Sequence, residues 1–369
     1  MTGKMNKEET AGSAGSVDVE KLVRPVILSM QAYQTQNIEN VVRLDANENP
    51  FPWPEGMKKV LMDEEFAFNR YPDGGAAQLK QAIARYMKVT PSSVVTGNGG
   101  DELIQLVLTV FGGVGKSLVL HPPTFSMYYA AAKLTNTQVI DVPLLEGKKL
   151  DLEEMLKAGK QDDVNVILVC NPNNPTGALF PKEDILHLIE ETGKIVVVDE
   201  AYSEFSQESM VGELDRYPNL ILLRTFSKAF GLAGLRLGYL LGQPTVMELI
   251  NRARQPFNVN SFSQRAGVAA LEFLDQFQVQ IEVIRKEIQT IYEALKNILE
   301  IEIFPTRSNF ILFKPRNAEL WYDELLRRGF LVRYMGNLPV VGKCLRLSAG
   351  QPQENERLIA ALQEINQEE

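Results

Sequence analysis

Four short, almost unbroken apolar runs set the strongest limit on how this chain can fold: Ser117 to His121, Val164 to Cys170, Lys194 to Asp199 and Leu220 to Thr225. A strand with one wet face alternates apolar and polar side chains. These runs instead read as strands covered on both faces, which points to a mostly parallel sheet between layers of helices. From Gly75 to Leu241 strand-like runs alternate with amphipathic stretches such as Asp101 to Phe111 and Lys182 to Glu191, predicted as helices. The first of these carries acids at its amino end, where they meet the positive end of the helix dipole. After Pro256 the pattern changes to long helical sequence from about Ser263 to Leu299, then short strands near Asn309 to Lys314, Leu331 to Tyr334 and Cys344 to Ser348, and a closing helix from about Gln353. The expectation is an α/β fold with an N-terminal extension and arm over 1–44, a large domain over 45–260 and a smaller α+β domain over 261–369. The segment from Tyr33 to Asn49 is expected to cross between the two domains.

Composition narrows the class of partner. With 45% hydrophobic and 23% charged residues, the chain is an ordinary globular protein. A formal net charge of -9, with 47 acidic against 38 basic residues and no block of Lys or Arg, argues against nucleic acid. Cys170 and Cys344 each sit inside an apolar run, so neither a disulfide framework nor a zinc cluster is expected, and a reducing cytoplasm fits best. No stretch approaches the roughly 20 apolar residues of a membrane helix, and the polar start through Glu20 lacks the apolar core of a signal peptide. Gly115-Lys116-Ser117 looks like the end of a P-loop, but Val110 stands where its first glycine is required, so the run reads as a helix-to-strand turn. Gly97 and Gly99 form a G-x-G pair whose continuation, Asp101 and Glu102, breaks the dinucleotide fingerprint. His121 and His187 have no ligand-spaced partners, which favours structural or solvated roles over a metal.

Four motifs fall at the carboxyl ends of predicted strands, where open α/β sheets bind ligands. Asn171 to Gly177, Asn-Pro-Asn-Asn-Pro-Thr-Gly, is a fixed turn that can aim Asn174 as an amide donor. Asp199 ends an Ile/Val run and is followed by Glu200, Ala201 and Tyr202. A carboxylate at that depth needs a cationic partner, and a protonated pyridine nitrogen is one. Thr225 to Arg236, Thr-Phe-Ser-Lys-Ala-Phe-Gly-Leu-Ala-Gly-Leu-Arg, offers hydroxyls, an amine and a guanidinium within one expected turn and helix, suiting both a phosphate and an aldehyde. Gly97 to Asp101 leads into a helix amino end, a ready anion site.

In this order the motifs resemble the fold type I aminotransferases, and among them most closely the histidinol-phosphate aminotransferases. The resemblance runs from about Tyr33 to the last helix. It rests on Leu44-Asp-Ala-Asn-Glu-Asn-Pro50, Arg70-Tyr-Pro-Asp73, Pro122-Pro-Thr-Phe125, the Asn171 turn, Asp199 to Tyr202, and Ser227-Lys228 with Arg236. It implies pyridoxal 5'-phosphate as cofactor, with Lys228 as the Schiff-base lysine and proton carrier, Asp199 on the pyridine nitrogen, Asn174 and Tyr202 on the phenolic oxygen, and Phe125 on the ring face. It further implies a phosphate site of Gly99, Gly100, Thr225, Ser227 and Arg236, completed by Tyr71 from the other subunit of a homodimer, with Asp101 also among the cofactor-binding residues. Arg346 would take the substrate α-carboxylate, and Tyr33, Asn49 and Arg333 the rest of the substrate. Phe125 stands where many relatives have tyrosine, so stacking is kept and a hydroxyl contact is lost; Gly100 replaces a common alanine. The implied activity is amino transfer between histidinol phosphate and 2-oxoglutarate in histidine biosynthesis. Alternatives are an aromatic amino acid aminotransferase, a lyase or decarboxylase of a phosphorylated amino acid, and a non-catalytic regulatory domain.

Overall fold

The computed structural model describes residues 17–32, 38–298 and 301–368. Two compact units result, Met1–Gln36 and Asn37–Glu369. The first contains a 3-10 turn, Val19–Leu22, and a short helix, α1 (Pro25–Leu28), begun by a proline whose fixed φ suits a first helical position. Tyr33 lies outside the described residues.

The second unit opens with β1 (Val42–Arg43), α2 (Glu55–Met62) and α3 (Ala77–Met87). There follow β2 (Val94–Gly97), α4 (Gly100–Phe111), β3 (Ser117–Leu120), α5 (Met127–Thr135), β4 (Gln138–Asp141), α6 (Leu152–Gly159), β5 (Val164–Cys170), α7 (Lys182–Thr192), β6 (Ile195–Asp199), α8 (Ser203–Ser206), β7 (Leu220–Thr225) and β8 (Gly238–Leu241). Strands β2 to β8 form one sheet in the order β2-β8-β7-β6-β5-β3-β4, parallel throughout except for β8, which runs against both of its neighbours. Successive side chains of the central strands enter different clusters. Val196, Val198, Leu220 and Leu222 join the core that includes α6 and α7, whereas Val197, Ile221 and Leu223 pack with Leu103, Val107 and Ala132 of α4 and α5. Burial on both faces is what leaves these strands mostly apolar, with few polar positions.

The chain continues through α9 (Pro244–Ala253), α10 (Ser261–Glu272), α11 (Leu274–Lys296), β9 (Glu302–Ile303), β10 (Phe310–Lys314), α12 (Ala318–Arg327), β11 (Phe330–Leu331), β12 (Arg333–Leu338), β13 (Gly342–Ser348) and α13 (Pro352–Glu368). A four-stranded antiparallel sheet, β12-β13-β10-β9, carries this part. Two expectations change. The long helix is two helices broken at Phe273, whose ring lies so close to Gly56 of α2 that a Cβ there would stand 2.5 Å from it, so packing outweighs local helical preference. The strand expected from Leu331 to Tyr334 serves two neighbours: β11 pairs parallel with β1, and beyond Val332 the chain pairs antiparallel with β13. No helix among the described residues is long and apolar enough to cross a membrane.

Arg224 of β7 points away from α4 into a buried ion cluster. Its Nε lies 3.2 Å from Glu200 Oε2 and its Nη1 3.1 Å from Glu204 Oε1. Glu200 is also bound by the Ser209 hydroxyl at 2.7 Å and the Met210 N–H at 2.6 Å. Replacing one member of such a cluster leaves buried charge uncompensated, at a cost of about 3–5 kcal/mol. Arg224→Leu is therefore expected to lower unfolding stability by that amount in a urea titration; a loss below about 1 kcal/mol would contradict this view of the cluster.

Candidate active site

Because β5, β6 and β7 run parallel, their carboxyl ends share one edge of the sheet, with Cys170 opposite Asp199 and Asp199 opposite Leu223. The Asn171 turn, Asp199 and the segment after Thr225 consequently stand side by side, at the position where such sheets bind ligands. Strand alternation puts Asp199 on the face of Val197 and Thr225 on the face of Leu223, the side covered by α4 and α5.

Asp199 is only 4% exposed. Its Oδ2 accepts a hydrogen bond from the Tyr128 hydroxyl at 2.7 Å, and its Oδ1 accepts one from the Ala201 N–H at 3.0 Å. Burial raises its pKa to about 6 despite these two bonds, which favour the ionised form. Tyr128 is fully buried on α5, and its ring meets that of Phe125 edge-on at 5.5 Å. Sequence reasoning did not single out Tyr128, since a tyrosine in a helical pattern reads as core; its signal is the spacing of three from Phe125. The His121 ring, held neutral by burial, accepts the Cys170 N–H on Nε2 at 3.0 Å and so ties the ends of β3 and β5 together.

The Asn171 turn uses its first two asparagine side chains to build itself. Asn171 exchanges hydrogen bonds with the backbone of Phe180, and Asn173 donates to Pro123 O and Thr176 Oγ1. That leaves Asn174 to face the site, with Nδ2 3.4 Å from the Tyr202 hydroxyl and Oδ1 accepting from Arg346 Nη1 at 2.6 Å. Asn47 Nδ2 also donates to the Tyr202 hydroxyl, at 3.0 Å. Burial pushes the Tyr202 phenol well up, so it stays protonated; accepting two amide donors, it keeps its own proton for an oxygen in the site. Asn47, not Asn49, is therefore the asparagine of Leu44–Pro50 that reaches this group. Asn49 is committed to protein partners: Nδ2 donates to Ala229 O and Gln280 Oε1, and Oδ1 accepts the Phe51 N–H.

Asn49 and Trp53, which donates to Gly231 O at 2.9 Å, instead fasten the loop that carries Lys228. This loop corrects the helix expected after Thr225. Only a 3-10 turn, Ala233–Leu235, forms, because Gly231 at φ 59 and Gly234 disfavour a continuous helix. Lys228 Nζ donates to Ala46 O at 2.8 Å. Its pKa is lowered to about 8, chiefly by burial and then by Arg346 and Arg236, with Glu48 and Asp101 opposing.

The anion-type donors converge at the amino end of α4. Gly99 caps it at φ 88, and a Cβ on Gly99 would stand 2.7 Å from Arg236 Nη2, so the guanidinium rests directly against this backbone. Arg236 Nη2 bonds Asp101 Oδ2 at 3.0 Å, and the Thr225 hydroxyl accepts the Ser227 N–H at 3.0 Å. Glu102, which sequence reasoning passed over, secures the turn by accepting from the Asn98 N–H and from Asn258 Nδ2. Helix amino end, hydroxyls and arginine fit a phosphate, and the deep carboxylate and the amine of lowered pKa fit a pyridine ring bearing an aldehyde. The residues present thus suit pyridoxal phosphate.

Arg333 and Arg346 are cross-strand partners on β12 and β13, so their side chains leave the same face of the small sheet. Arg346 Nη2 also donates to Asp45 O at 2.7 Å, and the guanidinium lies over the Phe310 ring at 5.4 Å. Tyr71 is 81% exposed and stacks on Phe257 at 4.6 Å.

Residues 39–362 match the family described as aminotransferase class I and II. The chain is 55% identical over 354 residues to the histidinol-phosphate aminotransferase of Desulfitobacterium hafniense strain Y51, covering 95% of this chain and 98% of that one. It is 37% identical over 349 residues to the histidinol-phosphate aminotransferase of Caldanaerobacter subterraneus subsp. tengcongensis, covering 94% and 99%. The crystal structure of histidinol-phosphate aminotransferase from Sinorhizobium meliloti in complex with pyridoxal-5'-phosphate superposes with a TM-score of 0.86 at 25% identity, covering 94% of this chain and 98% of that one.

Because the folded-state pKa of Lys228 lies near 8 and the ordinary value is 10.5, burying the ammonium costs stability in full below about pH 8, and the cost fades as pH rises towards 10.5. In cofactor-free protein, acylation of Lys228 should accordingly rise through a midpoint near pH 8. Peptide mapping across a pH series measures this; a Lys228 midpoint above about 10 would contradict it.

Proposed function

The chain belongs to the class I and II aminotransferases, and on that premise we infer that it interconverts histidinol phosphate and 2-oxoglutarate with imidazole acetol phosphate and glutamate, using pyridoxal phosphate, in histidine biosynthesis. When bound, the cofactor supplies an aldehyde for amino groups and a protonated ring that withdraws electrons. Lys228 is proposed to hold the cofactor through its amine and then, once substrate has displaced it, to move the proton between the substrate Cα and the cofactor C4'. Its lowered pKa supports this, because a base working near neutral pH needs a neutral amine. Asp199 holds the pyridine nitrogen proton, Asn174 and Tyr202 donate to the phenolic oxygen, and Phe125 covers the ring. Gly99, Gly100, Thr225, Ser227 and Arg236 bind the phosphate, with Asp101 orienting Arg236 through their ion pair.

The choice of substrate rests on one observation, the pairing of Arg333 with Arg346 across β12 and β13. Two guanidiniums on one sheet face, one of them bonded to Asn174, suit two substrates that occupy the site in turn, each bringing its own anionic group. In this reading Arg346 takes the α-carboxylate of glutamate and Arg333 the phosphate of histidinol phosphate. Residues 45–260 act as the cofactor domain and 261–369 as the smaller domain. A homodimer of the cytoplasm is the proposed form: the exposed Tyr71, stacked on Phe257, is suited to reach the phosphate site of a second copy.

Removing the Arg333 charge deletes a charge-assisted hydrogen bond of about 1.5–3 kcal/mol from the phosphate, roughly tenfold to above a hundredfold in specificity. Arg333→Ala should therefore lower kcat/KM for histidinol phosphate about tenfold or more relative to kcat/KM for an aromatic amino acid. Equal losses on both substrates would assign Arg333 to general folding and make broad aromatic transamination the better reading.

A further inference from the structure

The Asp199 carboxylate has only two hydrogen-bond donors from the protein among the described residues, the Ala201 N–H and the Tyr128 hydroxyl, one on each oxygen. The first belongs to the backbone of the strand end and arises from the turn itself. The second comes from another element, α5, across the helix-covered face of the sheet. A carboxylate hanging from Cβ rotates freely about χ2 unless both of its oxygens are engaged, and here the Tyr128 bond fixes the second. Tyr128 is itself enclosed: it is completely buried, belongs to the same apolar cluster as Leu120, Cys170 and Val197, and its ring stands nearly perpendicular to that of Phe125. Its hydroxyl faces Asp199 and the Cys170 thiol, and burial drives its pKa far up, so it acts as a donor and never as a competing anion.

We propose that Tyr128 is a positioning residue for the cofactor. Its hydroxyl sets the plane of the Asp199 carboxylate and holds it ionised for the pyridine nitrogen, while its ring edge sets the tilt of Phe125 over the ring face. One buried side chain thus aligns two groups that contact the cofactor on different sides, without contacting it. The proposal rests on the reading of Asp199 as the partner of the ring nitrogen. Tyr128→Phe keeps the ring and its packing on Phe125, and removes the hydroxyl's bond to Asp199 together with its contact to the Cys170 thiol. In that variant the carboxylate loses its orientation and a donor that favours its charge, so cofactor affinity falls through Asp199 and not through the fold.

The test is a double-mutant cycle read by pyridoxal phosphate binding to cofactor-free protein, followed by absorbance, in the parent, Tyr128→Phe, Asp199→Asn and the double variant. Tyr128→Phe is expected to weaken binding about tenfold, the scale of one hydrogen bond to a charged group. In the Asp199→Asn background the same change should cost less than about twofold, because the carboxylate it serves is gone. Equal losses in both backgrounds would overturn the proposal and leave Tyr128 as packing alone, with the Asp199 reading intact. Cofactor binding unaffected by Asp199→Asn would defeat that reading, and the proposal with it. Should Tyr128→Phe not fold, replacing Tyr128 with 4-aminophenylalanine keeps the shape and places an N–H donor at the same point. Affinity within about threefold of the parent is then expected, and a tenfold loss by this folded, donor-bearing variant would overturn the proposal.

Discussion

A carboxylate buried at the end of a central strand is the constraint around which this site is arranged. Asp199 is nearly inaccessible, and an isolated ion in such a place would simply take up a proton. Two protein donors hold it partly ionised, yet its pKa still stands at about 6, so a cationic partner is what would make full ionisation favourable. A pyridine nitrogen gains its proton from the same pairing. Each charge is thus stabilised by the other, which is how a single aspartate can turn a neutral heterocycle into an electron-withdrawing ring in the proposed reaction.

Lys228 shows the opposite response to the same environment. Burial raises the acid and lowers the amine, bringing both towards the range where protons exchange near neutral pH. The arginines beside Lys228, Arg346 and Arg236, push its amine further towards neutrality while each serves a separate anion site in the proposed reading. Residues 42–49 join these parts mechanically. Val42 and Arg43 pair with Phe330 and Leu331, Leu44 O accepts the Ser348 N–H, Asp45 O accepts from Arg346, Ala46 O accepts from Lys228, and Asn49 fastens the Lys228 loop. One segment therefore runs from the small sheet to the reactive amine.

How far this could be read in advance varied with the kind of signal. Strands β3, β5, β6 and β7 were legible because burial on both faces leaves few polar positions to obscure them, and their ends located the three motifs that now share one sheet edge. The break at Phe273 was not, since the sequence on either side is helical and the ring's close packing on Gly56 is a tertiary contact that no local pattern shows. Within Leu44–Pro50, spacing alone could not decide which asparagine faces the site. Asn47 adopts φ 54, a left-handed conformation that asparagine tolerates better than most residues, and this turns its amide onto Tyr202 while Asn49 faces Ala229. Tyr128 was hidden for a different reason: a buried aromatic on a helix is ordinary core until its hydroxyl is seen against a carboxylate.

The central claim is that Lys228, its pKa lowered chiefly by burial, is the one amine that binds the cofactor covalently. Borohydride reduction of the enzyme loaded with pyridoxal phosphate, followed by proteolysis and mass mapping, tests it directly. A single stable pyridoxyl label is expected on Lys228, in the peptide that contains Thr225 and Ser227. A label on any other lysine, with Lys228 unmodified, would contradict it.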